Sequence, residues 1–235
     1  MDVKGKKALV FGGTSGIGLA AVKQLAEKGA EVIAISRNPD KAAGNTLANV
    51  TLKACDVLDC DALVALFREC APFDIVISSA TGGDRAIGPF MEMDMDGFQG
   101  SFAKLWGYAN VVRLGAEYMS DNGSIVLVSG SPARTTGPGM VALGAVGAAV
   151  EQLARYVAVE IAPKRLNVVS PGVIDTPMSA LEGAAREDYY RNGTKDFAIP
   201  RAGTSEEVAK AIVFMVENDF VTGTTIDVDG GWLLS

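Results

Sequence analysis

Val10-Phe11-Gly12-Gly13-Thr14-Ser15-Gly16-Ile17-Gly18 is the stretch on which the fold of this 235-residue chain turns. Upstream of it, Lys7-Ala8-Leu9-Val10-Phe11 is an apolar run of strand length. Downstream, apolar residues at 17, 21, 22, 25 and 26 recur with a helical period as far as Lys28, and Gly29 stops the helix. Glycines at 12, 16 and 18 let backbone approach a ligand closely, and the helix start offers unpaired N–H groups at the positive end of its dipole. A diphosphate fits such a turn. The spacing is Gly-x-x-x-Gly-x-Gly, which differs from the Gly-x-Gly-x-x-Gly of most dinucleotide folds.

Working outward, the same alternation continues. Glu31 to Ser36 is a short apolar run suited to a buried parallel strand, and Arg37-Asn38-Pro39-Asp40 turns the chain. Strands are predicted at 50–54, 73–78, 124–129, 166–170 and 224–228, with helices near 59–70, 97–119, 141–161 and 205–217. Two polar loops, Ser78-Ser79-Ala80-Thr81-Gly82-Gly83 and Gly130 to Gly139, follow strand ends, and 173–203 is an irregular, partly helical excursion. Strands alternating with helices predict one domain, residues 1–235, built as a Rossmann-type doubly wound parallel α/β sheet of about seven strands with helices on both faces.

Composition excludes several functions. Hydrophobic residues make up 49% of the chain and charged residues 21%, as in ordinary globular proteins. A net charge of −7 supplies no basic field for a polyanion, so nucleic-acid binding is not expected. The apolar stretches are strand-length or broken by charge, so no membrane span is expected, and with Met1 leading straight into the first strand no signal peptide and a cytoplasmic location are expected. Cys55, Cys60 and Cys70 are too few and wrongly spaced for a zinc site and are expected to be reduced and packed in the interior; no metal is expected. There is no histidine, so any acid–base chemistry must use Ser, Tyr, Lys, Asp or Glu.

The sequence resembles the short-chain dehydrogenase/reductase family over essentially its whole length. The glycine turn with Thr14, Ser15 and Ile17 matches that family's signature after the first strand. Asp56-Val57 matches the pair that holds the adenine ring. Ser79-Ala80-Thr81 lies where the family has an Asn-Ala-Gly loop and keeps only the alanine. Pro171-Gly172, Ile174 and Thr176 match the segment that contacts the nicotinamide half, and Pro200-Arg201 with Val221 to Gly231 matches the C-terminal signature. The resemblance implies a nicotinamide dinucleotide. At the end of the second strand, where an acidic residue would bond the ribose hydroxyls of NAD, stand Ser36 and Arg37. A neutral serine removes repulsion of a 2′-phosphate and a guanidinium can grip one, so NADP(H) is the expected cofactor.

The family's catalytic set is a Tyr-x-x-x-Lys on the helix after Gly139, a serine at the preceding strand end and an asparagine on the helix before it. The lysine charge lowers the tyrosine pKa, and the hydroxyls hold the developing alkoxide. In this chain those positions fall on Leu143, Gly147, Gly130 and, nearly, Lys104. Replacement candidates are Ser129 and Ser131, which flank Gly130; Lys104, which shares a helical face with Tyr108; Arg134; and Tyr189 or Tyr190 in the excursion. Gly144 and Gly147 weaken their helix and imply close approach by something, and its apolar sides suit packing against a symmetry mate, so a homodimer or homotetramer is expected. The resulting expectation is an NADP(H)-dependent oxidoreductase acting on a small carbonyl or alcohol with a non-standard proton donor. Its alternative is a catalytically silent NADP(H)-binding sensor or assembly protein.

Overall fold

The computed structural model describes residues 1–42, 47–81 and 85–235. β1 (Lys7–Phe11), α1 (Gly16–Glu27), β2 (Glu31–Ser36), β3 (Val50–Ala54), α2 (Cys60–Cys70) and β4 (Phe73–Ser78) form the first half. The second half contains α3 (Met95–Ser101), α4 (Ala103–Gly115), β5 (Met119–Val128), α5 (Val141–Glu160), β6 (Arg165–Pro171), β7 (Ile174–Asp175), α6 (Gly183–Thr194), β8 (Gly203–Thr204), α7 (Ser205–Glu217) and β9 (Thr225–Val228). Seven parallel strands make one sheet in the order β3-β2-β1-β4-β5-β6-β9, and β7 with β8 forms a separate short pair. The fold is the predicted single-domain Rossmann-type α/β sheet.

Period-two alternation sends successive strand residues to opposite faces, and both faces are buried. Leu9 and Phe11 of β1 join Phe67 of α2, Val111 of α4 and Val150 of α5 in one core. Ala8 and Val10 join Leu25 of α1 and Ile212 of α7 in the other. A strand clothed in this way must be apolar through its middle, which is why Ala8–Phe11 of β1, Val32–Ile35 of β2 and Ile75–Ile77 of β4 are unbroken hydrophobic runs. Strand order changes direction between β1 and β4, and the carboxyl ends of those two strands open into a crevice.

Three local features differ from the sequence reading. The helix predicted over 97–119 is two helices meeting at Phe102. Ser101 Oγ donates to the Gly97 carbonyl at 2.9 Å and accepts the Ala86 N–H, a side-chain bond of the kind that bends a helix. Cys60 is exposed at the start of α2, while Cys55 and Cys70 are buried. By length and composition α5 is apolar enough to cross a bilayer, yet it carries Glu151 and Arg155 and packs its Val150 and Ala154 side into the core.

The glycines of α5 have a cause within the chain. A Cβ at Gly144 would lie 2.8 Å from the Pro132 carbonyl oxygen, and one at Gly147 would lie 2.9 Å from the Ala133 Cβ. The helix has surrendered side chains so that the turn at Ser131–Ala133 can rest on it. This internal approach, and not a neighbouring subunit, accounts for both glycines.

Candidate active site

The crevice is a cleft of about 620 Å³. Its outer wall begins at the β1–α1 turn, where Gly12 holds φ +78°, a conformation that favours glycine. Gly18 packs against that turn so closely that an added Cβ would lie 2.6 Å from Ser79 Oγ and nearer still to the Gly12 carbonyl oxygen. Ser15 caps α1 without a side-chain hydrogen bond, so the first-turn N–H groups remain open toward the cleft.

Every residue predicted to hold the nucleotide lines this one cleft: Gly12, Thr14, Ser15, Gly16, Ile17 and Gly18 from the turn, Ser36 and Arg37 after β2, and Asp56 and Val57 after β3. Ser79, Ala80 and Thr81 follow β4, and Pro171, Gly172, Ile174 and Thr176 lie at and beyond the end of β6. Gly82 and Gly83, at the end of the predicted loop, lie outside the described residues. Ser36 Oγ is buried and has no hydrogen-bond partner among the described residues, an orphaned hydroxyl on the residue that precedes Arg37, and both residues line the cleft. An open helix start, a backbone cradle and an unpaired hydroxyl next to a cation fit a phosphorylated nucleotide.

The inner end of the cleft corrects several candidate catalytic groups. Ser131 is fully buried, its hydroxyl makes no hydrogen bond among the described residues, and it does not line the cleft, although its neighbour Pro132 does. Ser129 does line the cleft, but its hydroxyl donates to Glu151 Oε1 at 2.9 Å and is committed there. Arg134 is turned away from the cleft. It pairs through both terminal nitrogens with Asp227, and its Nε lies 3.3 Å from Glu151 Oε2. Burial opposes its charge, but the Asp227 hydrogen bond and the charges of Glu151, Asp227 and Asp229 hold its pKa above the ordinary arginine value.

Lys104 and Tyr108 do not form a catalytic pair in the cleft. Tyr108 is fully buried and donates its hydroxyl to the Val128 carbonyl at 3.1 Å, and burial pushes its pKa up despite that bond. Lys104 lines the cleft, its ammonium 5.6 Å from the Tyr108 ring centroid and donating to the Ser129 carbonyl at 3.1 Å. Burial first, and then the charge of Arg85, bring the Lys104 pKa down to about 8. Tyr189 and Tyr190 of α6 both reach the cleft, stacked edge to face 5.3 Å apart.

From α5 the cleft receives Leu143, Val146 and Gly147, with Met140 just before the helix. The sequence reading missed Arg85, Trp232 and Glu151. Arg85 was discoverable as a cation in the loop after β4, and Glu151 as an acid inside an otherwise small and apolar helix. Trp232 follows the closing glycine pair and stacks on Phe197 at 5.5 Å, a contact with no sequence signal. Among the described residues no group of His, Cys, Asp or Glu is placed to hold a metal.

The whole arrangement has known counterparts. The sequence model of the enoyl-(acyl carrier protein) reductase family matches residues 12–233. The 3-oxoacyl-(acyl-carrier-protein) reductase FabG of Thermotoga maritima is 32% identical, with 100% of each chain covered. Carbonyl reductase family member 4 of Danio rerio is 30% identical, covering 95% of this chain and 96% of that protein. A solved small-chain dehydrogenase in complex with NADPH superposes with a TM-score of 0.83 at 27% identity, covering 98% of this chain and 99% of that one. A chain that shares this sheet, this glycine turn and these relatives belongs to the short-chain dehydrogenase/reductase family, whose members are oxidoreductases that use a nicotinamide cofactor.

Proposed function

We propose that this protein is an NADP(H)-dependent oxidoreductase that reduces a small carbonyl compound, with Lys104 as proton donor in place of the tyrosine and lysine that the family carries on α5. The observation that carries the reading is the Lys104 ammonium itself, set in the cleft wall with its pKa lowered to about 8 by burial and by Arg85. A bound nicotinamide supplies the hydride. Lys104 gives one proton to the carbonyl oxygen as charge develops there, and recovers a proton from solvent. The Ser129 carbonyl fixes the direction of the ammonium, and Glu151 fixes Ser129 by accepting its hydroxyl.

Preference for the phosphorylated nucleotide is supported by the unpaired Ser36 hydroxyl beside Arg37. Arg37→Ala is therefore expected to weaken NADPH binding by about ten- to a hundredfold, the worth of one charged hydrogen-bonding group, and to leave NADH binding unchanged. Equilibrium titration of nucleotide fluorescence reads both constants. Equal losses for the two nucleotides would remove Arg37 from the phosphate site.

The function itself is tested by NADPH oxidation against a panel of ketones, aldehydes and oxo acids. Turnover with any of them supports the reductase. Tight nucleotide binding without turnover across the panel supports a silent nucleotide-binding protein, the reading favoured by the wholly apolar face that α5 presents to the cleft.

We further propose a homodimer or homotetramer. Trp106 on α4 and Tyr156 and Val159 on α5 are 63%, 68% and 80% exposed, apolar surface of the sort that subunits cover. Light scattering should give at least twice the 24.4 kDa chain mass, and Tyr156→Arg combined with Val159→Asp should reduce it toward the monomer. A monomeric wild type would overturn this assignment.

A further inference from the structure

Positive charge collects at the inner end of the cleft in a chain whose formal net charge is −7. Arg85, on the loop after β4, and Lys104, on α4, both line it. The only described acidic residue in the cleft lining is Asp56, which stands beside Val57 beyond the end of β3. Among the described residues neither cation lies within salt-bridge distance of a carboxylate. The Arg85 guanidinium donates to the thioether of Met178, a weak acceptor, and Lys104 has spent one of its three N–H donors on Ser129.

The two cations are near enough to feel each other, since the Arg85 charge adds to burial in depressing the Lys104 pKa. Like charges that share a half-enclosed cleft repel more strongly than they would in water. An anion placed between them cancels that repulsion and gains charge-assisted hydrogen bonds from both. Around them the wall is mostly carbon, with Ile87, Met140, Leu143 and Met178 set among the rings of Tyr189 and Tyr190. A fully polar ligand does not suit it.

We propose that the substrate is an oxo acid, a carbonyl compound with a carboxylate on a short apolar skeleton, whose carboxylate is gripped by Arg85 while its carbonyl faces Lys104. This rests on the reductase reading above and adds the substrate class to it. The planar fork of Arg85 matches a carboxylate edge to edge.

Binding of unreactive analogues tests the proposal without requiring turnover. Hexanoate, its neutral amide hexanamide and hexyl phosphate would be titrated calorimetrically into the protein, with and without saturating NADP+. Hexanoate should bind about tenfold more tightly than hexanamide, and Arg85→Gln should erase that preference while NADP+ affinity and melting temperature stay at wild-type values. Equal binding of acid and amide, or a preference that survives in Arg85→Gln, overturns the proposal. Tighter binding of hexyl phosphate than hexanoate overturns the carboxylate and assigns the cations to a phosphorylated ligand. A reductase that shows no turnover on the carbonyl panel fails independently of these titrations, which report only on the anion site.

Discussion

Lys104→Met is expected to lower kcat for carbonyl reduction by about 10²–10⁴-fold, the usual worth of a positioned proton donor, while nucleotide affinity is retained. Methionine replaces the stem of the lysine with a chain of similar length and removes the ammonium that stands 5.6 Å from the Tyr108 ring centroid, so the loss isolates the ammonium. The pH profile carries the same information with a definite sign. Lys104 must be protonated to give up a proton, so reduction proceeds fully below a pKa of about 8 and declines as pH rises through it. Lys104→Arg keeps the positive charge but not a titratable acid, because a guanidinium does not deprotonate in this range. It should remain slow and lose the break near pH 8. Stopped-flow measurement of NADPH oxidation from pH 6 to 10 on all three proteins reads these outcomes. Retention of wild-type kcat in Lys104→Met, or an unchanged break in its profile, removes Lys104 from the proton-donor role.

The reason Lys104 can be singled out at all lies partly in sequence and partly beyond its reach. The alternation of strands and helices and the nucleotide turn were legible because their signals are local: Ala8–Phe11, Val32–Ile35 and Ile75–Ile77 are apolar runs, and the glycines of the first turn follow β1 directly. The strand ends then place Ser36, Asp56, Ser79 and Pro171 on one rim through topology alone. The catalytic end depends on side-chain direction over long separations, which no spacing rule records. Ser129 and Ser131 are two residues apart, yet one lines the cleft and the other is sealed against α5. Arg134 reads as a free loop cation until Asp227, 93 residues later, claims it. Tyr108 shares a helical face with Lys104 in sequence, but the Val128 carbonyl draws its hydroxyl into the core. Ser129, Arg134 and Tyr108 each found a polar partner and Ser131 was sealed in without one, while Arg85 and Lys104 were left facing the cleft with no carboxylate partner among the described residues.

Gly18→Ala is expected to abolish useful nucleotide binding, because the new Cβ would enter the space held by the Gly12 carbonyl and by Ser79 Oγ, which would be 2.6 Å away. Neither neighbour can yield cheaply. Gly12 accepts no alternative conformation without moving the N–H bond it makes to the Ile35 carbonyl at 2.8 Å, and Ser79 is tied by its hydroxyl to the Phe11 carbonyl at 3.1 Å. Relief must come from α1 lifting away from the turn, which takes its open first-turn N–H groups out of register with a diphosphate. Overpacking of this kind costs about 1–3 kcal/mol of stability. Loss of two hydrogen bonds to a charged group lowers affinity by about a hundredfold or more. Gly100 provides the control, since a Cβ there meets nothing within 4 Å, so Gly100→Ala should bind nucleotide as the wild type does. Calorimetric titration with NADPH alongside a thermal melt separates the two consequences. A Gly18→Ala protein that melts lower but binds NADPH with wild-type affinity would show that the turn supports the fold without cradling the phosphates.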